Sequence, residues 1–291
     1  KTSKPNPILL NQLSNIFIMS KKWSTDNFVV APQNWDAGQE TFSATNALGT
    51  GPFKITLREP NTKTVFKKNG KWWGNVEHNI TEIQLLPIKN AATRVAALLS
   101  GEIDLVTDAP VQDLNRISSS GGHKVESTPQ MRTIFLGMDQ KADKLRTGNT
   151  GDNPFKKKEV RQALYQAIDI EAIKKKVMRG LSEPAGIITF PGVTGYTKAL
   201  DKRLPYDVDA AKKLLADAGY PNGFDVELRC PNDRYVNDEA ICTAVVGMLG
   251  KIGVNVNLFA QTKSKHFKEL KDNQGDFYML GWGVPTLDSH Y

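Results

Sequence analysis

Histidine and cysteine are scarce in this sequence of 291 residues, which contains four histidines and two cysteines. The histidines are His78, His123, His266 and His290. They lie far apart without the spacing of a metal site, so solvated or incidental roles are favoured over metal ligation. The sequence also lacks a G-x-S-x-G nucleophile elbow, and no pair of carboxylates can be assigned to acid–base catalysis. The sequence therefore predicts no catalytic residue, no metal site and no cofactor.

Long apolar runs are absent as well. The longest uncharged apolar run, residues 240–250, is well short of the roughly 20 residues that a membrane-spanning helix needs. The hydrophobic content of 40% and the charged content of 24% are ordinary for a globular protein. Because 291 residues are too many for one typical core, the length predicts two domains.

The two cysteines, Cys230 and Cys242, fit two interpretations. One disulfide would form in an oxidising compartment, whereas two buried thiols would suit the cytosol. If the protein is exported, we predict a disulfide that ties the end of a strand to the helix that follows it.

The net charge of +7 raises the question of an anionic partner, which could be a nucleic acid, a membrane surface or an acidic ligand. The lysine runs at residues 156–158 and 174–176 lie on the polar sides of two predicted helices, without interleaved aromatic residues. Such runs are typical of a solvated helix face. The sequence therefore predicts no nucleic-acid partner.

The best-specified stretch covers residues 153–180. One apolar stripe with helical spacing consists of Val160, Ala163, Leu164 and Ala167. Asp169 is a good N-cap for a second helix, which Gly180 ends. Two short helices are therefore expected to meet at a capped corner.

Strand and helix patterns cover most of the remaining chain. A hairpin is predicted near residues 53–67, and a strand at 80–86, a helix at 90–100 and a strand at 103–106 predict a parallel βαβ unit. Two more strands are predicted at residues 124–127 and 133–138. After residue 206, helices that start near Asp207, at Asp238 and around Phe267 alternate with strands at 224–228, 254–258 and 277–280. This alternation predicts a mostly parallel α/β second lobe.

Several of these stretches resemble one protein family. The run "PF...VRQAL..AID...I...V..G" at residues 154–180, together with "GTGPF", "WWG" and "R.AAL.SGEIDLV" at residues 49–106, is similar to the family 5 extracellular solute-binding proteins. These are the peptide and nickel carriers of ABC importers. The resemblance implies an α/β, two-lobe periplasmic-binding-protein type II fold, incomplete at both ends because family members run further. It implies a first lobe at residues 1–135 and a second at 136–291, and a fragment that self-associates through uncovered sheet edges or apolar surface.

The candidate binding segment is the loop at residues 229–238, which lies where a strand ends and a helix begins. Arg234 offers a planar fork for a carboxylate, and Tyr235 offers a ring with a polar tip. From the residues alone, an arginine in solvent is equally well supported. The resemblance implies that Arg234, with Tyr235, holds the terminal carboxylate of a peptide.

A second match to the family is Gly281-Trp282, after the last strand. Here the sequence departs from dipeptide carriers, which place an acidic residue three positions after the tryptophan to hold the ligand's amine. Pro285 stands there in this chain, and Asp288 lies further on. A dipeptide with a free amine is therefore in doubt, unless Asp288 substitutes from a shifted loop. The implied ligand-binding residues are Arg234, Tyr235, Trp282 and Asp288.

The expected function is capture of a small peptide-like or anionic solute between two lobes, for delivery to the membrane subunits of an ABC importer. The resemblance implies a periplasmic protein or a cell-surface lipoprotein. The alternatives are a transferase or hydrolase on a similar two-lobe fold, and a sensor or chaperone without a role in transport. An enzyme would show a paired nucleophile and base, whereas a carrier would show aromatic walls and one or two charged anchors.

Overall fold

The chain has a mixed α/β architecture with two β-sheets. The structure, a computed structural model, describes residues 4–34 and 41–290. The chain divides into two units, Lys1–Asn90 and Ala91–Tyr291, and each contains one of the sheets. The mixed α/β class predicted from the sequence is thereby confirmed.

The smaller unit contains an antiparallel sheet of three strands in the order β1-β2-β3. Its elements are α1 Leu9–Leu13, α2 Lys21–Asp26, α3 Phe42–Thr45, β1 Phe53–Glu59, β2 Lys63–Lys68 and β3 Glu82–Leu85. The predicted hairpin is the β1–β2 pair, and Asn61 in its turn has a φ of +61°, which asparagine tolerates better than most residues. All four residues of β3 are exposed, so this strand is an uncovered part of the sheet.

The larger unit contains a sheet of four strands in the order β4-β7-β5-β6. Its elements are α4 Ala91–Ser100, α5 Leu114–Ser119, β4 Thr133–Met138, α6 Lys158–Ala167, α7 Ile170–Ala172, α8 Val208–Asp217, β5 Asp225–Pro231, α9 Asp238–Gly250, β6 Asn255–Gln261, α10 Lys263–Lys271 and β7 Phe277–Trp282. Strand β5 pairs in parallel with β6 and β7, and β4 pairs antiparallel with β7. The carboxyl ends of β5, β6 and β7 therefore share one edge of the sheet with the amino end of β4.

The lobe boundary predicted between residues 135 and 136 falls inside β4. It concerns the lobes of the complete protein and stays a prediction. Within the described ranges, no helix combines the length and the apolar character that crossing a membrane requires.

The two helices predicted in residues 153–180 form the centre of the core of the larger unit. The predicted stripe of α6 is buried, with Val160, Ala163 and Ala167 fully inaccessible. The Asp169 side chain caps α7 by accepting a hydrogen bond of 2.9 Å from the backbone nitrogen of Ala172. The chain continues as a π-helical turn, Ile173–Val177, and changes direction over the next three residues, which end at Gly180 with a φ of +83°. The capped corner is confirmed.

The predicted strand at residues 103–106, and with it the parallel βαβ unit, is wrong. Strand β3 pairs with β2 instead, and residues 103–106 form no strand. The backbone N–H groups of Glu102 and Ile103 both donate to the carbonyl oxygen of Ala97, so they terminate α4 rather than pair with a strand. Ile103 and Val106 pack against a small cluster that includes Val95. A short apolar run could not distinguish these outcomes.

The predicted strand at residues 124–127 is wrong for the same physical reason. These residues form no strand, and Val125 packs against the cluster of buried residues on α4 and α5. Its burial comes from contact with helices, so no strand partner is needed.

Helix α10 buries a histidine rather than the phenylalanine that marked it in the sequence. His266 is inaccessible, and its Nε2 lies 2.9 Å from the carbonyl oxygen of Met279 on β7. Phe267 is 39% exposed. Burial lowers the pKa of His266, since the charged ring would lose its hydration. The solvated role is therefore wrong for His266, which joins α10 to the sheet.

Candidate functional site

The candidate loop lies at the shared edge of the sheet, between the end of β5 and the start of α9. The buried Asp238 fixes the shape of this loop. Its Oδ2 accepts hydrogen bonds of 2.9 Å from the backbone nitrogens of both Arg234 and Tyr235, and its Oδ1 accepts one of 3.0 Å from Glu239. Burial raises the pKa of the Asp238 carboxyl group, although these N–H groups favour its charged form. These hydrogen bonds thus fix the backbone of the loop at Arg234 and Tyr235, the two candidate binding residues.

The Tyr235 ring is held against β7. Its hydroxyl oxygen accepts a hydrogen bond of 2.8 Å from the backbone nitrogen of Gly281. A Cβ atom at Gly281 would lie 2.8 Å from Cε1 of Tyr235 and 2.6 Å from Cδ1 of Ile134. The glycine at position 281 therefore admits the ring, which fixes the orientation of the phenol.

Replacing Gly281 by alanine is expected to destabilise the full-length protein by about 1–3 kcal/mol, because the added methyl group overpacks this contact. Urea unfolding measures the change. The matched control is Gly247→Ala in α9, where an added Cβ would meet no atom within 4 Å other than the backbone of its own helix and its chain neighbours. A Gly281→Ala variant as stable as the wild type would contradict the account of this contact.

Two arginines approach the same Tyr235 ring. The guanidinium carbon of Arg234 lies 5.0 Å from the ring centroid, and that of Arg132 lies 5.7 Å from it. Both arginines are half-buried. Arg132 immediately precedes β4, whose amino end lies at the same edge as the carboxyl end of β7. Arg132 was not predicted from the sequence, because the neighbours of a strand in a sheet cannot be deduced from local pattern.

Trp282 pairs with Thr133 of β4, and Asp288 lies on a separate segment. The position of a Cβ at Gly281 faces Tyr235, so the next residue, Trp282, leaves β7 on the opposite face of the sheet. Trp282 is 45% exposed. Asp288 pairs with Thr194 in an isolated parallel bridge, and its Oδ1 accepts a hydrogen bond of 2.9 Å from the backbone nitrogen of His290. Arg234 and Tyr235 are therefore brought together, while the positions of Trp282 and Asp288 leave their roles as predictions.

A disulfide flanks the loop. Cys230, at the end of β5, is bonded to Cys242 in α9, with Cα atoms 6.6 Å apart, and both residues are inaccessible. This is the pairing predicted for an exported protein. It closes the segment that carries Arg234 and Tyr235.

Each unit contains a cavity that the candidate loop does not line. One of about 410 Å³ is in the smaller unit, beside Lys68, Asn69 and Trp72. The other, of about 220 Å³, adjoins Asp225 and Asn255 at the amino ends of β5 and β6. Within the described ranges, no group of three or more metal-ligating side chains could hold a metal ion. The candidate site is thus an open sheet edge that presents cations and a phenol.

The sequence and the fold both match known proteins. Residues 1–291 match the model of the bacterial extracellular solute-binding proteins, family 5 middle. The chain is 26% identical to heme-binding protein A of Haemophilus influenzae, over 87% of this chain and 44% of that protein. It is 23% identical to the glutathione-binding protein GsiB of Escherichia coli, over 84% of this chain and 46% of that protein.

Among solved structures, the ABC transporter-associated periplasmic binding protein DppA from Helicobacter pylori, in complex with the peptide STSA, has a similar fold. The TM-score is 0.82 at 23% identity, over 97% of this chain and 51% of that chain. This chain thus spans about half the length of the relatives that it matches. Since the family model covers all of its residues, the chain belongs to the bacterial extracellular solute-binding proteins of family 5.

Proposed function

We propose that the complete protein is the solute-binding component of an ABC importer and that it captures a small peptide-like or anionic solute. The observation that carries this proposal is the Arg234–Tyr235 pair, pinned by Asp238 at the carboxyl ends of parallel strands. Open α/β sheets bind ligands at this edge. A guanidinium group next to a fixed phenol is suited to a carboxylate on a solute.

The relatives support a solute of small-molecule or short-peptide size. Two are named for binding heme and glutathione, and the DppA structure contains a peptide. The disulfide supports an oxidising compartment, as expected for a periplasmic protein or a cell-surface lipoprotein. The membrane subunits of the importer are the proposed protein partners.

The proposed mechanism is closure without catalysis. A solute bound at the Arg234–Tyr235 edge would gain further contacts from the other lobe when the complete protein closes. Those contacts exist only in the closed form, so the solute shifts the population toward it. The groups that approach Tyr235 are guanidinium groups and a backbone N–H, which bind anions but are not nucleophiles. This chemistry favours a carrier over a transferase or hydrolase.

Three lysines of the basic runs have partners within the protein. Lys156 lies 2.6 Å from the Asp143 carboxylate, and Lys174 lies 3.0 Å from that of Glu183. Lys157 donates a hydrogen bond of 2.9 Å to the carbonyl oxygen of Ala218. These contacts favour a role in the fold over a groove that follows phosphates.

Native mass spectrometry of the full-length protein tests the proposed function. We expect a small molecule bound at one copy per protein and released on unfolding. A protein that carries no solute, and takes up none from a small-molecule extract of bacterial cells, would contradict the proposal. An importer role further predicts that deleting the gene for this protein abolishes uptake of that solute, which separates a carrier from a sensor or chaperone.

We expect the 291-residue chain by itself to self-associate. Strand β3 is exposed along its length, with Leu85 57% and Ile83 40% accessible, and Phe17 and Ile18 are more than 80% accessible. Exposed strands and apolar side chains promote association. Analytical ultracentrifugation measures it, and Ile83→Lys should weaken it by placing a charge on β3. A monodisperse monomer at high concentration would refute this expectation.

A further inference from the structure

The half-buried arginines of the larger unit differ in whether their guanidinium groups have an acceptor in the protein. Four of them donate to acceptors in the protein, through carbonyl oxygens or carboxylates: Arg94, Arg161, Arg203 and Arg229. Arg132 and Arg234 contact the Tyr235 ring, but their guanidinium nitrogens make no hydrogen bond or ion pair with any residue in the ranges 4–34 and 41–290. The two arginines without an acceptor are therefore the two that share one aromatic ring.

This arrangement leaves two guanidinium groups available to an anion. Each guanidinium group carries five N–H donors, and the face of an aromatic ring attracts the charge without accepting those hydrogen bonds at full strength. An acid group on each guanidinium would accept hydrogen bonds from these donors and neutralise the charge.

The carboxylates of the same loop do not serve as these acceptors. Asp238 is directed at the backbone nitrogens of residues 234, 235 and 239. Asp233 accepts a hydrogen bond of 2.5 Å from the backbone nitrogen of Lys263. The acidic groups of the loop are therefore bonded to backbone N–H groups, and Arg234 has no carboxylate partner among the described residues.

We propose that Arg132 is a second anion-binding residue of this site and that the solute carries two acidic groups, one held by Arg234 and one by Arg132. This inference rests on the proposed function, since it assumes that a solute occupies the sheet edge. Each guanidinium presents a planar fork that matches a carboxylate bidentately. Two cations contact the Tyr235 ring at this sheet edge, which favours a solute with two acid groups.

The test uses the full-length protein and two matched peptides in calorimetric titration. N-acetyl-Ala-Glu has two carboxylates and no free amine, and N-acetyl-Ala-Gln has one carboxylate. The wild type should bind the diacid more than about tenfold tighter than the monoacid, because a second fork is engaged. Arg132→Gln should reduce that ratio to about one and leave the affinity for the monoacid within about twofold of the wild type.

Two further variants separate recognition from folding. Arg203→Gln is the control, because it removes the same charge at another arginine that lies over a tyrosine ring. The guanidinium carbon of Arg203 lies 4.3 Å from the centroid of Tyr165. Arg203→Gln should preserve the preference for the diacid. Arg132→Lys keeps the charge without the fork and should retain part of that preference. A merely structural role for Arg132 would weaken both peptides alike and leave their ratio unchanged.

Three outcomes of the calorimetric titrations overturn the inference. They are a ratio near one in the wild type, a ratio that Arg132→Gln leaves unchanged, and the absence of binding of either peptide to the wild type. None of them removes the proposed function, which is judged separately by the solute that the purified protein retains. A retained solute with a single acid group would overturn the two-acid inference and still support solute capture.

Discussion

Replacing Arg234 by lysine in the full-length protein is expected to weaken solute binding by more than about tenfold. Lysine keeps the positive charge, but its ammonium group is a point charge that cannot form two parallel hydrogen bonds to a carboxylate. It also loses the planar face that Arg234 places 5.0 Å from the centroid of Tyr235. Calorimetric titration with the solute recovered from the wild type measures the change.

The matched control for this substitution is Arg203→Lys. Arg203 also lies over a tyrosine ring, that of Tyr165, and donates to the carbonyl oxygen of Ala185. Its replacement should leave affinity unchanged within about twofold. If Arg234→Lys binds the solute as tightly as the wild type does, Arg234 is a solvated loop residue and the carboxylate clamp is wrong.

Removing the disulfide by Cys230→Ala and Cys242→Ala together is expected to lower the free energy of unfolding by about 3 kcal/mol. The bond closes a loop with a sequence separation of 12, which restricts the unfolded chain. Both residues are inaccessible, so the bond also joins β5 to α9 within the core. Urea unfolding of the full-length protein measures the difference.

A reductant provides the internal control for the disulfide. With a reductant present, the free energy of unfolding of the wild type should fall to nearly that of the double alanine variant. The free energy of unfolding of the variant itself should not change. Equal unfolding free energies for oxidised and reduced wild type would contradict this prediction. Titration of two free thiols in the oxidised protein would show that the bond does not form.

Local signals were sufficient for the helical corner and for the β1–β2 hairpin. The stripe of α6, the cap at Asp169 and the turn at Asn61 each depend on residues within a few positions of one another. The cap of α8 is of the same kind, since Asp207 accepts a hydrogen bond of 2.9 Å from the backbone nitrogen of Ala210. Such features follow from helical spacing and side-chain capping, so the sequence contains them.

Contacts between distant segments were not available from the sequence. The apolar residues at 103–106 have the same pattern whether they pair with a strand or pack on a helix, and the contact with Val95 decides between these. The strand order β4-β7-β5-β6 is equally non-local. It brings the amino end of β4 to the carboxyl end of β7, which places Arg132 beside Tyr235.

In the candidate site, too, local features could be predicted from the sequence and contacts between distant residues could not. The position of Arg234 and Tyr235 at a strand-to-helix connection could be predicted from the order of elements, and their proposed role came from resemblance. The fixing of Tyr235 by the backbone of Gly281 links residues 46 positions apart and could not be predicted. The hydrogen bonds from the loop backbone to Asp238 could have been predicted, because an aspartate at the start of a helix can accept hydrogen bonds from the backbone just before it.

A crystal structure of the full-length protein with its co-purified solute tests the central claim most directly. We predict an acid group of the solute within hydrogen-bonding distance of the Arg234 guanidinium, about 2.7–2.9 Å between heavy atoms, with Tyr235 still bonded to the backbone of Gly281. A solute seated elsewhere, with the Arg234 side chain in solvent, would contradict the account.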